Sequence, residues 1–251
     1  MSPPFKTLLV LPAFNEQEAL PKTIASLQQL PPGFEILIVN DGSKDRTRAV
    51  AEELAQTSRL PCFVLTLPIN SGIGVAVQTG YRFAAARNEY RYVIQFDADG
   101  QHPADALPEL VACCERGSFD LCVGSRFLGP ANGGFQSTPV RRLGIRFFCW
   151  WIGLLSGVRV TDPTSGLRCA GVNAWRRFAE FYPEDYPEPE SLFWCARNGL
   201  RIVETPVAML ERQGGVSSIR ANRAVYYAVK VALAILFDRL RRSENLSESL
   251  S

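Results

Sequence analysis

Residues 93–102 read Val-Ile-Gln-Phe-Asp-Ala-Asp-Gly-Gln-His. An apolar run, Tyr92–Phe96, delivers two carboxylates, Asp97 and Asp99, one residue apart. Gly100 then turns the chain ahead of an amide at Gln101 and an imidazole at His102. Alternate residues of a strand share a face, so Asp97 and Asp99 are expected to converge at the strand's end. Hard oxygen ligands at a strand-to-loop junction suit Mg²⁺ or Mn²⁺, cations that also take phosphate oxygens from a substrate. The competing reading is a turn in which the aspartates only cap. Two aspartates in register, followed by Gly-Gln-His, favour a metal or phosphate site.

Other polar segments stand in the same relation to apolar runs. Val39-Asn40-Asp41-Gly42-Ser43-Lys44-Asp45 ends one of them, and Asp41 is suited to accept hydrogen bonds from a base or ribose. Pro12-Ala13-Phe14-Asn15-Glu16 ends another and offers a wall for a flat nucleobase, with Glu16 as acceptor. Asn70-Ser71-Gly72-Ile73-Gly74 opens a helix, where glycines allow close backbone approach and the helix N-terminus favours anions. Gly124-Ser125-Arg126 and Glu211-Arg212 supply fixed positive charge in a fork that fits diphosphate. Each segment also reads as an ordinary turn, helix connection or surface arginine. Their joint placement at strand ends is what argues for a site, because open α/β sheets bind ligands outside the carboxyl ends of their strands.

The elements that must position these residues alternate in the first half of the chain. Strands are predicted at Thr7–Leu11, Glu35–Asn40, Cys62–Leu67, Tyr92–Phe96 and Asp120–Gly124. Helices are predicted at Glu18–Leu30, Asp45–Gln56, Gly74–Glu89 and Asp105–Arg116, the second capped by Ser43 or Asp45. That alternation predicts an α/β fold, a central mainly parallel sheet flanked by helices. The second half is less regular. Residues 125–140 and Asp162–Arg168 read as loops, Arg142–Gly157 as an aromatic-rich helix, Val172–Tyr182 and Ser191–Asn198 as helices, and Arg201–Leu210 as extended. Gln213–Ser218 reads as a Gly/Ser loop and Asn222–Arg242 as a long helix. The expected division is a catalytic domain over 1–220, an amphipathic helix over 221–242 and a flexible tail over 243–251.

Composition sets outer limits. Apolar residues at 47% and charged residues at 21% describe a globular chain, and a net charge of +2 gives no case for a nucleic-acid partner. A single histidine argues against zinc. Seven cysteines, an odd number with no C-x-x-C pair, are expected to be free thiols in a reducing compartment. With no signal peptide read at Met1–Lys6, a cytoplasmic protein is expected. The apolar stretch Val225–Phe237 falls short of the about 20 residues a bilayer span needs. It is followed by Arg239, Arg241 and Arg242, so it reads either as a packed helix or as an interfacial one giving peripheral contact at the cytoplasmic membrane face. The Phe147–Trp151 cluster is open to the same two readings.

Taken together, the segments Pro12–Glu16, Val39–Asp45, Asn70–Gly74, Asp97–His102, Gly124–Arg126, Asp162–Arg168 and Arg212–Ser218 resemble, in order, those of inverting family-2 glycosyltransferases. The resemblance is to enzymes of the GT-A type, with a Rossmann-like nucleotide-diphospho-sugar transferase fold, and especially to the dolichol-phosphate mannosyltransferase-like branch. It implies that Pro12, Phe14, Glu16, Val39 and Asp41 line a nucleoside pocket, with Asn70 and Gly72 beside the donor. It further implies that Asp97, Asp99 and Gln101 hold Mg²⁺ or Mn²⁺ and the donor diphosphate, with Ala98 close by, and that Arg126 and Arg212 contact phosphates or acceptor. Phe14 stands where the family often has Tyr. Ser218 stands where the lipid-phosphate branch has a Lys.

The resemblance implies transfer of a sugar from a GDP-, UDP- or dTDP-sugar to a polyprenyl phosphate or a lipid-linked or glycan acceptor. Asp99 and Arg126 are then catalytic candidates. A phosphate acceptor is already anionic and needs no base, whereas a sugar hydroxyl needs one. In Glu184–Glu190, Glu188 is the favoured base over Glu190 and Asp185, against a plain solvated acidic loop. The alternatives are a nucleotidyltransferase acting on sugar phosphates, a glycan-hydroxyl transferase of polysaccharide synthesis, and a non-catalytic binding protein.

Overall fold

A computed structural model describes residues 5–128, 139–208 and 221–240, with side chains from 142 and 226 onward in the last two segments. Seven strands form one sheet: β1 (Lys6–Ala13), β2 (Phe34–Asn40), β3 (Cys62–Thr66), β4 (Tyr90–Gln95), β5 (Leu121–Ser125), β6 (Arg168–Gly171) and β7 (Ile202–Pro206). Their order is β3-β2-β1-β4-β6-β5-β7. The β1/β2, β1/β4, β2/β3 and β5/β7 pairs are parallel, and β6 is antiparallel to both β4 and β5. Every strand except β6 therefore points the same way. The loops leaving β1, β2, β3, β4 and β5 gather on one edge, and so does the loop entering β6.

Helices cover both faces. Leu9, Leu11, Ile36 and Ile38 point into one core layer with α1 (Leu20–Leu27), α2 (Thr47–Thr57) and α4 (Ala106–Gly117). Their neighbours Leu8, Val10, Leu37 and Val39 point into the other. That second layer contains α3 (Ile73–Arg87), α5 (Pro139–Ser156), α6 (Val172–Glu180), α7 (Pro187–Arg197) and α8 (Ala221–Leu240). The interior strands are apolar on both faces because both faces are covered. All seven cysteines are free.

Two elements depart from the sequence reading. β6 follows the Asp162–Arg168 loop, where no strand was expected; four residues, Arg-Cys-Ala-Gly, are too few to show alternation. The helix expected from Ser191 begins at Pro187, so the supposed acidic loop is partly a helix start. Proline at the first helical turn gives up only an N–H that has no helical partner. Asp45 caps α2, as one of the two expected candidates: its Oδ1 receives the N–H of Thr47, the first residue of the helix, at 3.0 Å and the Thr47 hydroxyl at 2.6 Å.

Candidate active site

The acidic pair sits at the middle of the gathered edge. β4 ends at Gln95, so Asp97 and Asp99 lie in the turn beyond it rather than on a strand face. Phe96 continues the pairing, giving its N–H to the Val10 carbonyl at 3.0 Å, and its ring is buried. Thr23 Oγ1 donates to the Ala98 carbonyl at 2.8 Å. The backbone between the two aspartates is thus anchored from below, while both aspartates stay partly exposed as residues. Gly100, at φ +75°, makes the turn, and the Gln101 N–H closes it onto Asp99 Oδ1 at 3.0 Å.

Asp97 is held by His102, whose Nε2 lies 3.0 Å from Oδ2. Burial alone would push this carboxyl up, but the His102 hydrogen bond, with the charges of His102 and Arg126, holds it below the usual range. Its second oxygen, Oδ1, is buried and has no hydrogen-bond partner.

The loops after β1 and β2 are tied together. Asn15, at φ +56°, gives its N–H to Ser43 Oγ and receives the Lys44 N–H at Oδ1. Glu16 donates its N–H to Thr47 Oγ1 at 2.8 Å. Phe14 is exposed and Pro12 and Glu16 are partly exposed, so these three can meet a ligand. Val39 and Ala98 cannot do so through their side chains, because both are core residues. Asp41 is buried, and each of its oxygens is engaged: Oδ1 takes the Ser71 N–H at 2.7 Å and Oδ2 the Gly72 N–H at 2.9 Å. Gly74 donates its N–H to the Glu184 carbonyl at 3.1 Å. The N–H groups of Ser71 and Gly72 face an anion of the protein itself, the Asp41 carboxylate, and that of Gly74 is taken by the Glu184 carbonyl. Asn70 is exposed beside them.

Across the edge, Arg126 grips Asp162 in a fork, with Nε to Oδ2 and Nη2 to Oδ1 both at 2.6 Å. Their side chains are 4% and 0% exposed. Removing either partner would strand a buried charge, at about 3–5 kcal/mol. Glu204 receives the N–H groups of Thr161 and Asp162, and Ser165 Oγ donates to the Gly124 carbonyl. The loop entering β6 is thereby stapled to β5 and β7. Arg126 builds this wall, and its charge reaches Asp97.

The sequence reading missed Arg168 and Gln95. Arg168 is 1% exposed and donates to the carbonyls of Ser165 and Pro163 and to Ser191 Oγ. It pairs in register with Gln95, whose side-chain oxygen accepts from the Tyr182 hydroxyl at 3.2 Å. The Gln95 amide nitrogen lies near Asp97 and Glu188 and closes a hydrogen bond with neither. A glutamine inside the apolar run Tyr-Val-Ile-Gln-Phe was the one signal available. Glu188 stands in the first turn of α7. Burial pushes its carboxyl up and the negative charge of Asp97 adds to that, while Arg168 opposes. Burial pushes Glu190 up to about 7. Arg212 and Ser218 lie outside the described residues.

Among the described residues no three His, Cys, Asp or Glu side chains converge as a metal cluster. A cation held here would draw on Asp97, Asp99 and the Gln101 amide, and on oxygens of a ligand. Two carboxylates and an amide are hard donors, and the orphaned Asp97 Oδ1 is a buried acceptor lacking a positive partner. That donor set fits Mg²⁺ or Mn²⁺, which are usually bound through one or two carboxylates plus substrate phosphates.

A mostly parallel seven-strand sheet flanked by helices, with the acidic turn and the Arg126 loop on its carboxyl edge, is the architecture of a GT-A-type glycosyltransferase. Residues 8–181 match glycosyl transferase family 2, and the chain belongs to that family. It is 31% identical to a polyprenol monophosphomannose synthase of Mycolicibacterium smegmatis, over 97% of this chain and 92% of that protein. It is 30% identical to an undecaprenyl-phosphate mannosyltransferase of Micrococcus luteus, over 94% and 98%. Among solved structures, a mannosyltransferase of Pyrobaculum calidifontis in complex with GDP-Man and Mn²⁺ shares the fold. Its TM-score is 0.66 at 16% identity, over 97% of this chain and 67% of that one.

Proposed function

We propose that this glycosyltransferase moves a sugar, with inversion, from a nucleoside-diphosphate sugar to a polyprenyl phosphate. The observation that carries the reading is the Asp97–Asp99 turn, held between the loops of β1 and β2 on one side and the Arg126–Asp162 wall on the other. The relatives in Mycolicibacterium smegmatis and Micrococcus luteus, named for polyprenol and undecaprenyl-phosphate mannosyl transfer, support the acceptor.

Phe14 and Pro12 present the surface on which a base lies, with Glu16 beside them as an acceptor and Asn70 at the donor's edge. Asp41 acts at one remove, because it fixes Ser71 and Gly72. Asp97, Asp99 and Gln101 would hold Mg²⁺ or Mn²⁺. Bound there, the cation supplies Lewis-acid stabilisation of negative charge on the departing diphosphate. Arg126 keeps the wall rigid and adds positive potential near Asp97. Arg212 is assigned to phosphate or acceptor on the family pattern, with Ser218 nearby in sequence.

One observation favours a second acceptor class. Glu188 lies near Asp97 with its carboxyl pushed up by burial, as befits a base that takes a proton from a sugar hydroxyl. A lipid phosphate would not need it.

A lipid-borne acceptor also calls for a membrane contact, and α5 and α8 supply the surface. No helix among the described residues is long and apolar enough to cross a membrane. The two helices pack together through Phe148 and Tyr227, and through Trp151 Nε1 to the Ala232 carbonyl at 3.2 Å. Leu143, Phe147, Trp150 and Leu154 of α5 stay exposed, as do Tyr226, Val229, Leu233, Phe237 and Leu240 of α8. Arg142, Arg146 and Arg239 are exposed on the same helices, and α5 has no acidic residue. A basic rim around an apolar face suits an anionic bilayer better than a second copy of the same basic face.

The donor is tested by thermal stabilisation with GDP-, UDP- and dTDP-sugars, each with and without Mn²⁺. Stabilisation by one class, dependent on Mn²⁺, is expected; none by any class contradicts the reading. Flotation with anionic vesicles tests the face. Trp150→Ser with Phe237→Ser should weaken partitioning, and unchanged partitioning removes α5 and α8 as the anchor.

A further inference from the structure

The single histidine of this chain lies buried behind the acidic turn. We infer that His102, backed by Gly166, is a positioning residue that sets the orientation of the Asp97 carboxylate for a divalent cation. The inference rests on the reading of Asp97 as a metal ligand.

The His102 side chain is 2% exposed, whereas that of Asp97 is 30% exposed. The ring is tilted against Phe96, with centroids 5.7 Å apart, so it is fixed by core packing rather than by solvent. Nε2 lies 3.0 Å from Asp97 Oδ2, and Nδ1 is buried without a hydrogen-bond partner. These two facts select a tautomer. A proton on Nδ1 would be a buried donor with no acceptor and would leave two lone pairs facing each other at Oδ2. A proton on Nε2 satisfies the carboxylate and leaves only a bare lone pair at Nδ1. Nε2 is therefore the nitrogen that donates, and it donates to Oδ2.

Gly166 closes the other side. A Cβ at that position would lie 2.7 Å from Asp97 Oδ2, closer than real Cβ atoms come, and 3.1 Å from Oδ1, tighter than most such contacts. His102 pulls Oδ2 and the bare backbone of Gly166 allows it to lie there. The carboxylate plane is then fixed, and Oδ1 is the oxygen left without a protein partner. A ligand oxygen held this way has little rotational freedom to lose when a cation binds. Outer partners of this kind typically change metal affinity by about 10–100-fold. His102 does not itself touch the cation in this arrangement, because its donor nitrogen faces the carboxylate.

The test is Mn²⁺ affinity, read from the EPR signal of the free ion titrated with the full chain, alone and with GDP or UDP present. His102→Leu fills the space without a donor and is expected to weaken Mn²⁺ by about tenfold or more. His102→Gln places an amide N–H near the position of Nε2 and should recover most of that loss. A merely structural role would not separate Leu from Gln in this way. Gly166→Ala, which leaves the histidine intact, should weaken Mn²⁺ as well, and it carries the test if His102→Leu fails to fold. Wild-type affinity in His102→Leu, equal losses in Leu and Gln, or wild-type affinity in Gly166→Ala each overturns the inference. Asp97→Asn separates the two levels. If it binds Mn²⁺ as tightly as wild type, the ligand reading itself fails. If it loses Mn²⁺ while His102→Leu does not, only the positioning role fails.

Discussion

Gly74 gives its N–H to the carbonyl of Glu184 at 3.1 Å, and a Cβ on Gly74 would overlap the carbonyl oxygens of Pro183 and Glu184. The start of α3 and the segment leading to Glu188 are therefore in backbone contact. One side of that contact belongs to the proposed donor edge of the sheet and the other to the candidate base. Gly74→Ala forces them apart. Overpacking of this kind typically costs about 1–3 kcal/mol. We expect a lower melting temperature, and a fall in kcat larger than any change in donor affinity. A variant with wild-type stability and turnover would show that this contact does not set the site.

Glu188→Gln separates the two acceptor classes. With a phosphate acceptor no proton has to be removed, and kcat should fall by less than tenfold. With a hydroxyl acceptor the loss should approach the about 10²–10⁴-fold typical of general-base catalysis. Transfer rates to polyprenyl phosphate and to a glycan hydroxyl, measured with the same variant, decide between them.

Much of this arrangement is legible in the sequence, and the reasons differ by element. The first five strands are apolar runs ending in polar loops, so their shared edge follows from pattern alone. β6 escapes because four residues carry no period, and with it Arg168, whose burial depends on carbonyls of Ser165 and Pro163 that only the fold brings near. Asp41 stands out as a polar residue at a strand end, yet its partners are backbone N–H groups thirty residues on, which no side-chain pattern reveals. The start of α7 is hidden by its own composition: Pro-Glu-Pro-Glu reads as a loop unless the prolines are placed in a first turn. Arg126 was legible as a cation but not as half of a buried pair with Asp162.

Glu190 carries a pH signature. Burial, with the charges of Asp185, Asp238 and Glu188, pushes its carboxyl up to about 7, against the opposing effect of Lys230. The folded chain then binds a proton more tightly than the unfolded chain does, so stability falls as pH rises from the ordinary glutamate range through about 7. Glu190→Gln removes that loss. Its melting temperature relative to wild type should rise between pH 5 and pH 8 in scanning calorimetry. A difference that is constant across this range would rule out Glu190 as the source.

The central claim is that the turn carrying Asp97 and Asp99 binds the diphosphate end of a sugar nucleotide through a divalent cation. It is tested most directly by sugar transfer to polyprenyl phosphate in wild type and Asp99→Ala, with Mn²⁺ present and with Mn²⁺ removed by chelation. The account predicts turnover only for wild type with Mn²⁺, and an Asp99→Ala chain that is folded yet inactive. Mn²⁺-dependent transfer retained by Asp99→Ala would contradict it.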